Sequence, residues 1–329
     1  TQNPMKKYFV IIFLISILFS SCTEQRNMPV SIGKINSVIV VVRDGVSETK
    51  AAKTLDSILV QEIYGMPQSE QLFDVSYVTE GNLNDLLKKN RNIIYLIISD
   101  TVKKEGIFKS EDVFAAPQTI LFIRSSHPDS AQKLIQKSEK VILQALTNTE
   151  FRRIYEIMTK SPAIDLKKKI SQNYGIDLQL INLFFEAKST NDFMWLRLET
   201  NNYSQALILM KEPFNKENQF NPTHIRSWID NNLKLQIPGQ FEGTYMKIDD
   251  SVIKVKVDRV IINDIERIVF SGLWGVEGDF MGGPFRSHTF ISKDKSILLT
   301  VYAYVYYPNE PKRDLMMDLE AILHSIKYN

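Results

Sequence analysis

The clearest chemistry in this sequence belongs to Cys22, the only cysteine among 329 residues. Lys6 and Lys7 precede an uncharged apolar run at residues 8–19, and two serines stand directly before Cys22. A basic start, an apolar segment and small residues before a cysteine are typical of a bacterial lipoprotein signal. We therefore predict that cleavage leaves Cys22 as the first residue and that fatty acids, palmitate among them, are attached to it.

Two other interpretations of this segment are open. A helix that crosses the hydrocarbon core of a bilayer needs about 20 apolar residues, and the run at 8–19 is shorter. A plain secretory signal would leave Cys22 as a lone thiol in an oxidising compartment, where unpaired thiols are reactive. An acylated Cys22 needs no membrane-spanning helix and leaves no reactive thiol. We therefore predict a lipid-anchored protein of the bacterial cell envelope and expect it in the outer membrane.

A second unusual stretch, residues 272–285, contains five glycines among several large apolar side chains. Glycine occurs where φ must be positive or where another group approaches the backbone closely. One interpretation is a long hairpin connection whose aromatic side chains fold back onto a sheet. The other is a recognition loop, with apolar contacts from some residues and backbone N–H donors from others. The candidate partner- or ligand-binding residues are Trp274, Met281, Gly282, Gly283 and Phe285.

Four tyrosines lie close together near the end of the chain, and three of them alternate. A strand places Tyr302, Tyr304 and Tyr306 on one face, because successive side chains of a strand point to opposite sides. Such a face is more often a covered sheet surface than a platform on which sugars stack. We therefore expect this tyrosine face to pack against another layer of the protein.

No catalytic motif is present in the sequence. The nucleophile elbow Gly-x-Ser-x-Gly, the zinc motif His-Glu-x-x-His and the glycine-rich phosphate loops are all absent. The four histidines are widely spaced, so we expect them on the surface or at helix ends and predict no metal and no cofactor. A binding or assembly-accessory protein fits best. The alternative is a hydrolase that acts on envelope material through paired carboxylates, for which Glu277 and Asp279 are the candidates.

The charge balance argues against nucleic acid as a partner. The chain has 40 Lys and Arg against 38 Asp and Glu, and loss of Lys6 and Lys7 with the signal leaves 38 of each sign. A phosphate backbone requires clustered positive charge, and the one basic triplet, at 167–169, fits a solvated helix face. The expected partners are the lipid bilayer, through acylated Cys22, and an envelope protein or a small apolar ligand.

The predicted elements divide the chain into four parts. These are a signal peptide at 1–21, a lipidated tether at 22–35, an α/β domain at 36–160 and an α+β domain at 161–329. The N-terminal domain is predicted as a βαβ type, because a β-branched strand at 37–42 is followed by helical periodicity at 48–64. The second is predicted to have a mainly antiparallel sheet and a C-terminal helix.

The sequence also predicts individual elements within the two domains. We predict a loop at 103–116, a helical stretch at 129–158 interrupted near 147–149, strands at 178–185 and 252–257, a long strand at 296–307, and a helix at 314–326.

Several short motifs resemble those of an uncharacterised lipoprotein family of Bacteroidetes-type bacteria, which is known as a domain of unknown function. They lie at 65–70 (GMPQSE), 91–94 (RNII), 116–118 (APQ), 272–274 (GLW) and 281–285 (MGGPF). The resemblance covers nearly all of the chain after Cys22 and implies a location but no activity, and no site residues carry over. More loosely, the second half is similar to the α/β/α-sandwich group of photosystem-accessory and nuclear-import-accessory proteins, which are mostly binding or assembly factors.

Overall fold

Two large sheets, a small two-stranded sheet and their helices make up the part of the chain that the structure describes. The structure is a computed structural model, and it describes residues 28–329. Cys22 and the predicted signal peptide lie outside the described residues. Within residues 28–329, no helix is both long enough and apolar enough to cross a membrane.

The first domain combines a mainly parallel sheet with helices. Between residues 28 and 160 its elements are β1 (Ser37–Val42), α1 (Lys50–Leu59), β2 (Asp74–Thr79), β3 (Asn92–Ile98), β4 (Gly106–Glu111), β5 (Thr119–Ser125), α2 (Pro128–Lys137) and α3 (Glu139–Lys160). The strand order is β2-β1-β3-β5-β4, and β4 alone runs antiparallel to its neighbour. This arrangement confirms the predicted α/β class of the N-terminal half.

Strand β1 explains why this sheet forms. Val38, Val40 and Val42 pack in a core with residues of α1, α2 and α3. Ile39 and Val41 point to the opposite face and pack in a smaller apolar cluster. Since β-branched side chains suit a pleated surface and both faces are covered, a continuous apolar run forms a strand here, as predicted.

Helix α3 belongs to the cores of both domains. Near its start, Ile142 packs in the core of the first sheet. Further along, Phe151 and Met158 pack in a core formed by the second sheet and its helices. The hydroxyl of Tyr155 donates a hydrogen bond to the carbonyl oxygen of Ala321 at 2.9 Å. One helix of 22 residues therefore links the two domains through buried side chains on its whole length.

The second domain is built around a long antiparallel sheet. Its elements are α4 (Ile164–Tyr174), β6 (Ile176–Asp177), β7 (Phe185–Ser189), β8 (Phe193–Glu199), β9 (Ser204–Pro213), α5 (Pro222–Gln236), β10 (Tyr245–Asp249), β11 (Lys256–Ile262), β12 (Ile265–Glu277), β13 (Gly282–Ile291), β14 (Ile297–Tyr306), α6 (Arg313–Ser325) and β15 (Lys327–Tyr328). The main sheet has the order β10-β12-β13-β14-β9-β8-β7, and β11 pairs with β12 as well. This sheet and the closing helix α6 confirm the predicted α+β class.

The two faces of this sheet carry two different cores. Along β14, Leu299 and Val301 point toward α3, α4 and α6. The alternate residues Leu298, Tyr302 and Tyr304 point toward α5. The alternation follows from the two-residue period of a strand. As predicted, the tyrosine face is covered at Tyr302 and Tyr304, which are 0% and 6% exposed.

Two predictions about the first domain are wrong. Residues 103–116 were expected as a loop but contain β4, whose charged residues suit the exposed edge of a sheet. The expected helix interruption near 147–149 lies instead at Ser138, between α2 and α3. Helix α3 runs on through Thr149, whose hydroxyl lies 3.2 Å from the carbonyl oxygen of Ala145 one turn earlier.

Three strand assignments in the second domain also change. In the apolar run at 178–185, Leu178, Leu180 and Phe184 pack in the core, but a turn at 182–183 interrupts the run, so the strand begins only at Phe185. Residues 252–257 start with a turn, in which the Asp250 carboxylate accepts the backbone N–H of Val255 at 3.1 Å, so β11 begins at Lys256. The stretch 272–285 is mostly strand, since β12 continues to Glu277 and β13 starts at Gly282.

Candidate functional site

An open cleft lies on the face of the second sheet that α5 covers. Helix α5 ends at Gln236, before the end of the sheet, and leaves the part of the face near Tyr304 and Tyr306 open. The cleft has a volume of about 570 Å³. Its aromatic and sulfur-containing lining residues are Trp195, Tyr203, Met246, Trp274, Met281, Tyr304 and Tyr306.

The aromatic floor of the cleft is held by hydrogen bonds. The indole N–H of Trp195 donates to the hydroxyl oxygen of Tyr304 at 3.1 Å. The indole N–H of Trp274 donates to the carbonyl oxygen of Val305, also at 3.1 Å. The ring centres of Trp274 and Tyr304 are 5.0 Å apart in an edge-on arrangement. These contacts fix the rings before any ligand arrives, which lowers the entropic cost of binding.

The hydroxyl of Tyr304 remains available as a donor. Burial raises the pKa of Tyr304 to about 12, so the hydroxyl keeps its proton at physiological pH. Its oxygen accepts from Trp195, and a phenol can accept and donate at the same time. The cleft floor therefore presents one hydrogen-bond donor within a mostly apolar surface.

The charges that line the cleft compensate each other. Arg197 and Glu199 form an ion pair at its edge. The guanidinium of Arg197 also lies 4.8 Å from the ring centre of Trp195, which is close enough for a cation–π interaction. Uncharged polar residues complete the rim: Thr200, Asn201, Asn202, Ser204 and Gln240. The site therefore suits an uncharged molecule better than an ion.

The five predicted binding residues have different environments. Trp274 and Met281 line the cleft, Trp274 at 4% exposure and Met281 partly exposed. Phe285 is fully buried and stacks on Tyr302 at a centre-to-centre distance of 4.7 Å. It is therefore a core residue that a ligand cannot reach, contrary to its proposed role in recognition.

Gly282 and Gly283 serve close packing. A Cβ on Gly283 would lie 2.2 Å from the carbonyl oxygen of Val305 and 3.1 Å from the indole nitrogen of Trp274. A Cβ on Gly282 would lie 2.8 Å from the carbonyl oxygen of Trp274. Glycine is therefore required at both positions because other backbone atoms approach closely, and not because φ is positive. A positive φ occurs instead at Gly278, in the turn between β12 and β13.

The sequence did not single out the residues that complete the cleft. Trp195 lies on β8, and Pro238 follows α5, so both are distant in the chain from the 272–285 stretch. Tyr306 was noted only as part of a covered face, but it is partly exposed in the cleft. An outward-pointing tryptophan in a predicted strand was the available signal for Trp195.

The candidate catalytic carboxylates lie in a second depression of about 550 Å³ beside the β12–β13 turn, which shares Trp274, Val276 and Met281 with the cleft. Glu277 is paired with Lys247. Asp279 accepts the backbone N–H of Phe280 at 2.6 Å. Hydrogen bonds from Ser251 lower the pKa of Asp249, the third carboxyl in this depression. Both candidate carboxylates are thus engaged by neighbouring donors, Glu277 by Lys247 and Asp279 by a backbone N–H.

The histidines do not form a metal site in the described chain. Within residues 28–329, no three His, Cys, Asp or Glu side chains are grouped to hold an ion. The expectation that the histidines lie on the surface or at helix ends is wrong for His288, which lies within β13, is 3% exposed and accepts a hydrogen bond from Arg267 at 3.2 Å. Burial and the charge of Arg267 lower the pKa of His288 well below 6.5, so it is neutral and structural.

Weak likenesses to solved structures include a yeast protein and a mycobacterial protein. The Ran-binding protein Mog1p of Saccharomyces cerevisiae is 7% identical, with 47% of this chain and 90% of that chain covered and a TM-score of 0.30. LpqN of Mycobacterium tuberculosis, described as involved in cell envelope biogenesis, is 13% identical, with 46% and 82% covered and a TM-score of 0.29. These TM-scores are too low to assign a shared fold or function. No curated protein matches this chain.

Family models match both halves of the chain. Residues 31–159 match a domain of unknown function, DUF8532, and residues 163–325 match another, DUF4837. The predicted resemblance to an uncharacterised family is thereby confirmed, while its bacterial group and the lipid anchor remain predictions. Two consecutive stretches of the chain thus match families of unknown function, DUF8532 first and DUF4837 after it.

Proposed function

We propose that this protein is a lipid-anchored binding protein of the bacterial cell envelope, which holds a small, uncharged and largely apolar molecule in the cleft of its second domain. The single observation that carries the binding role is the aromatic lining of the cleft, to which Trp195, Trp274 and Tyr306 contribute. The anchor rests on the lipoprotein signal that ends at Cys22.

The size and lining of the cleft support a small ligand. A volume of about 570 Å³ falls within the range of roughly 300–1,000 Å³ that is usual for ligand sites. Each 100 Å² of apolar surface that a ligand removes from water contributes about 2.5 kcal/mol, from which the costs of association must be subtracted. An apolar ligand of this size can therefore bind with micromolar affinity without any ion pair.

The polar groups support selectivity for an uncharged ligand. A charged ligand would have to leave water and compete with the Arg197–Glu199 ion pair for its counter-charge. The Tyr304 hydroxyl and the amides of Asn201 and Gln240 can instead satisfy a hydroxyl or carbonyl group at the edge of an apolar body. These groups set the orientation of the ligand, and the aromatic rings supply the affinity.

A binding role also fits better than hydrolysis. The cleft contains one carboxylate, that of Glu199, and an ion pair holds it at the rim. Glu277 and Asp279 lie in the neighbouring depression, where Lys247 and a backbone N–H hold them as described above. The two candidate carboxylates of the hydrolase alternative thus lie outside the cleft.

A neutral fluorescent probe tests this proposal. N-phenyl-1-naphthylamine is apolar, carries no charge at neutral pH and brightens when it leaves water. We expect saturable binding of one molecule per chain, weakened about tenfold by Met281→Ala and by Tyr306→Ala, because each change removes about 1–2 kcal/mol of contact. Circular dichroism and melting temperature establish that both variants are folded.

Phe280→Ala is the matched control. Phe280 neighbours Met281 in the chain, is fully exposed and lines the depression on the other side of the turn. Its loss should leave the affinity for the probe unchanged. Equal affinity in all three variants and the wild type, or no saturable binding at all, would contradict a ligand site in the cleft.

A further inference from the structure

Apolar side chains are exposed together where the described chain begins. Val30 is 69% exposed, Val113 44%, Met28 37% and Phe114 37%. The large apolar residues of a soluble domain are mostly buried, and a group of exposed ones marks an interaction surface. These four residues are called the entry patch below.

Backbone hydrogen bonds hold the two halves of the entry patch side by side. The backbone N–H of Ala116 donates to the carbonyl oxygen of Pro29 at 2.9 Å, and that of Ser31 donates to the carbonyl oxygen of Ala116 at 3.0 Å. Val30 and Ala116 form a parallel bridge between these bonds. Met28 and Val30 therefore lie next to the turn that carries Val113 and Phe114.

Buried side chains fix the segment that carries the patch. The guanidinium of Arg153, on α3, donates to the carbonyl oxygen of Ser31 at 2.9 Å. Arg91 donates to the carbonyl oxygen of Gly33 at 2.7 Å and pairs with the buried carboxylate of Glu150. The exposed apolar residues are thus held outward by an ordered backbone, which is the behaviour of a surface that meets a partner.

The charges beside the patch do not oppose an anionic lipid surface. Asp85 pairs with Lys88 at 2.9 Å, and Asp112 pairs with Arg152 at 2.6 Å. The ammonium of Lys88 lies 6.0 Å from the ring centre of Phe114. Glu111, also beside the patch, pairs with Lys109 at 3.0 Å and shares Arg152 with Asp112. Each of these acids therefore has a neighbouring cation, and the ammonium of Lys88 lies next to the apolar residues. Apolar side chains with adjacent lysines are typical of surfaces that bind the membrane interface.

The length of the connecting chain identifies the partner. Residues 23–27 are all that separates Cys22 from Met28. Even fully extended, a connection of this length spans roughly 20 Å, at about 3.3–3.6 Å per residue. If the acyl chains of Cys22 are in the bilayer, the entry patch cannot be farther than that from the membrane.

We propose that the entry patch rests on the surface of the membrane and fixes the orientation of the body on it. This inference depends on the proposed anchor at Cys22. It adds a second, weaker contact, through which Val30 and Phe114 enter the interface between headgroups and acyl chains. One lipid anchor leaves a body free to rotate, and a second contact restricts it.

The chain offers a clean labelling experiment, because Cys22 is its only cysteine and acylation blocks that thiol. Full-length Val30→Cys and Phe114→Cys are expressed with the lipid anchor, labelled with the fluorophore NBD and placed in vesicles of phosphatidylethanolamine and phosphatidylglycerol. Val252→Cys is the matched control, since Val252 is 77% exposed and lies in the second domain. Nitroxide-labelled lipids in the vesicles serve as quenchers.

We expect NBD at positions 30 and 114 to shift to shorter wavelength and to lose at least half of its emission to the quenching lipids. NBD at position 252 should do neither. Anchored protein whose labels at 30 and 114 behave like the label at 252 would overturn the membrane contact and leave the anchor intact. Wild-type protein whose Cys22 thiol reacts with the label and which stays off the vesicles would overturn the anchor, and the membrane contact with it.

Discussion

The carboxylate of Glu70 accepts two hydrogen bonds from the backbone N–H of Lys312, at 2.9 and 2.8 Å. It accepts a third from the N–H of Arg313 at 2.7 Å. Glu70 belongs to the first domain, and these N–H groups begin helix α6 of the second. The negative side chain therefore satisfies donors that have no partner within the helix and lies at the positive end of the helix dipole.

The other end of α6 has the opposite complement. Arg267, fully buried, donates to the carbonyl oxygens of Leu323 at 2.7 Å and Ile326 at 2.9 Å. Burial lowers the pKa of Arg267 to about 10, so it remains charged at neutral pH. Charged side chains from outside the helix thus stabilise both of its ends, and the cap at Glu70 also joins the two domains.

Replacement of Glu70 should destabilise the protein without changing the cleft. Glu70→Ala leaves buried N–H groups without an acceptor, and we expect a loss of about 2–3 kcal/mol in the free energy of unfolding. Urea unfolding followed by circular dichroism measures it. Glu242→Ala is the control, because Glu242 is exposed and should change stability by less than about 0.5 kcal/mol. Equal stabilities of the two variants would show that the cap contributes nothing.

Gly283→Ala should distort the floor of the cleft. The added methyl group would overlap the carbonyl oxygen of Val305 and press on Trp274, at a cost of about 1–3 kcal/mol. Probe affinity should fall together with the melting temperature, since the same contact positions the ring. Gly81→Ala is the control, because nothing lies within 4 Å of its added Cβ. A variant at 283 with the stability of the wild type would refute the role of close packing.

Stability should depend on pH through Asp318. This residue of α6 borders an apolar cavity of about 240 Å³ beside α3. Burial, and secondarily the charge of Asp314, raise its pKa from 3.8 to about 7. The folded protein keeps this proton up to about pH 7, whereas the unfolded chain loses it near pH 3.8. The proton on Asp318 therefore favours the folded state. Its contribution to the free energy of unfolding is complete below pH 3.8 and is lost as the pH rises to 7.

Asp318→Asn tests this dependence, since an amide stays neutral at every pH. The variant should melt at a higher temperature than the wild type at pH 8 and should differ little from it at pH 4. The difference is at most about 4 kcal/mol and is smaller in practice because Asp318 is partly exposed. Asp100→Asn, at an exposed turn, should behave as the wild type does. Parallel melting curves for the wild type and Asp318→Asn from pH 4 to 8 would contradict the raised pKa.

Cys22→Ala should release the protein from the membrane. Acyl chains contribute about 0.8 kcal/mol per buried methylene, which far exceeds what the entry patch alone can supply. Detergent phase partitioning should move the variant into the aqueous phase, and mass spectrometry should find no lipid on it. Thr23→Ser, which leaves the thiol and the two serines before it in place, is the control. Membrane retention of an unlipidated variant would contradict the anchor.

Local sequence patterns predicted much of the fold. The β-branched run of β1 and the apolar period of α6 each identify one element, because one face of each must be buried. The alternation of Tyr302 and Tyr304 likewise predicted the covered face. The edge strand β4 was missed because edges carry charged residues that weaken the apolar pattern.

The cleft could not be predicted in the same way, because it depends on register between distant strands. Trp195 pairs with Ile208, and Ile208 pairs with Tyr302 on its other side. This pairing brings Trp195 to Tyr304 across three strands, although the two residues are 109 positions apart. A shift of one residue would turn Trp195 to the opposite face. Local spacing contains no information about that register.

The position of the bound probe tests the central claim most directly. Methionine methyl groups labelled with ¹³C report on both cavities, since Met281 and Met246 line the cleft and Met158 lines the separate cavity at Asp318. Substitution of each by leucine assigns its signal. On addition of N-phenyl-1-naphthylamine, we expect the signals of Met281 and Met246 to shift and that of Met158 to stay in place. A shift of Met158 with no change at Met281 would place the ligand site elsewhere and contradict the proposed function.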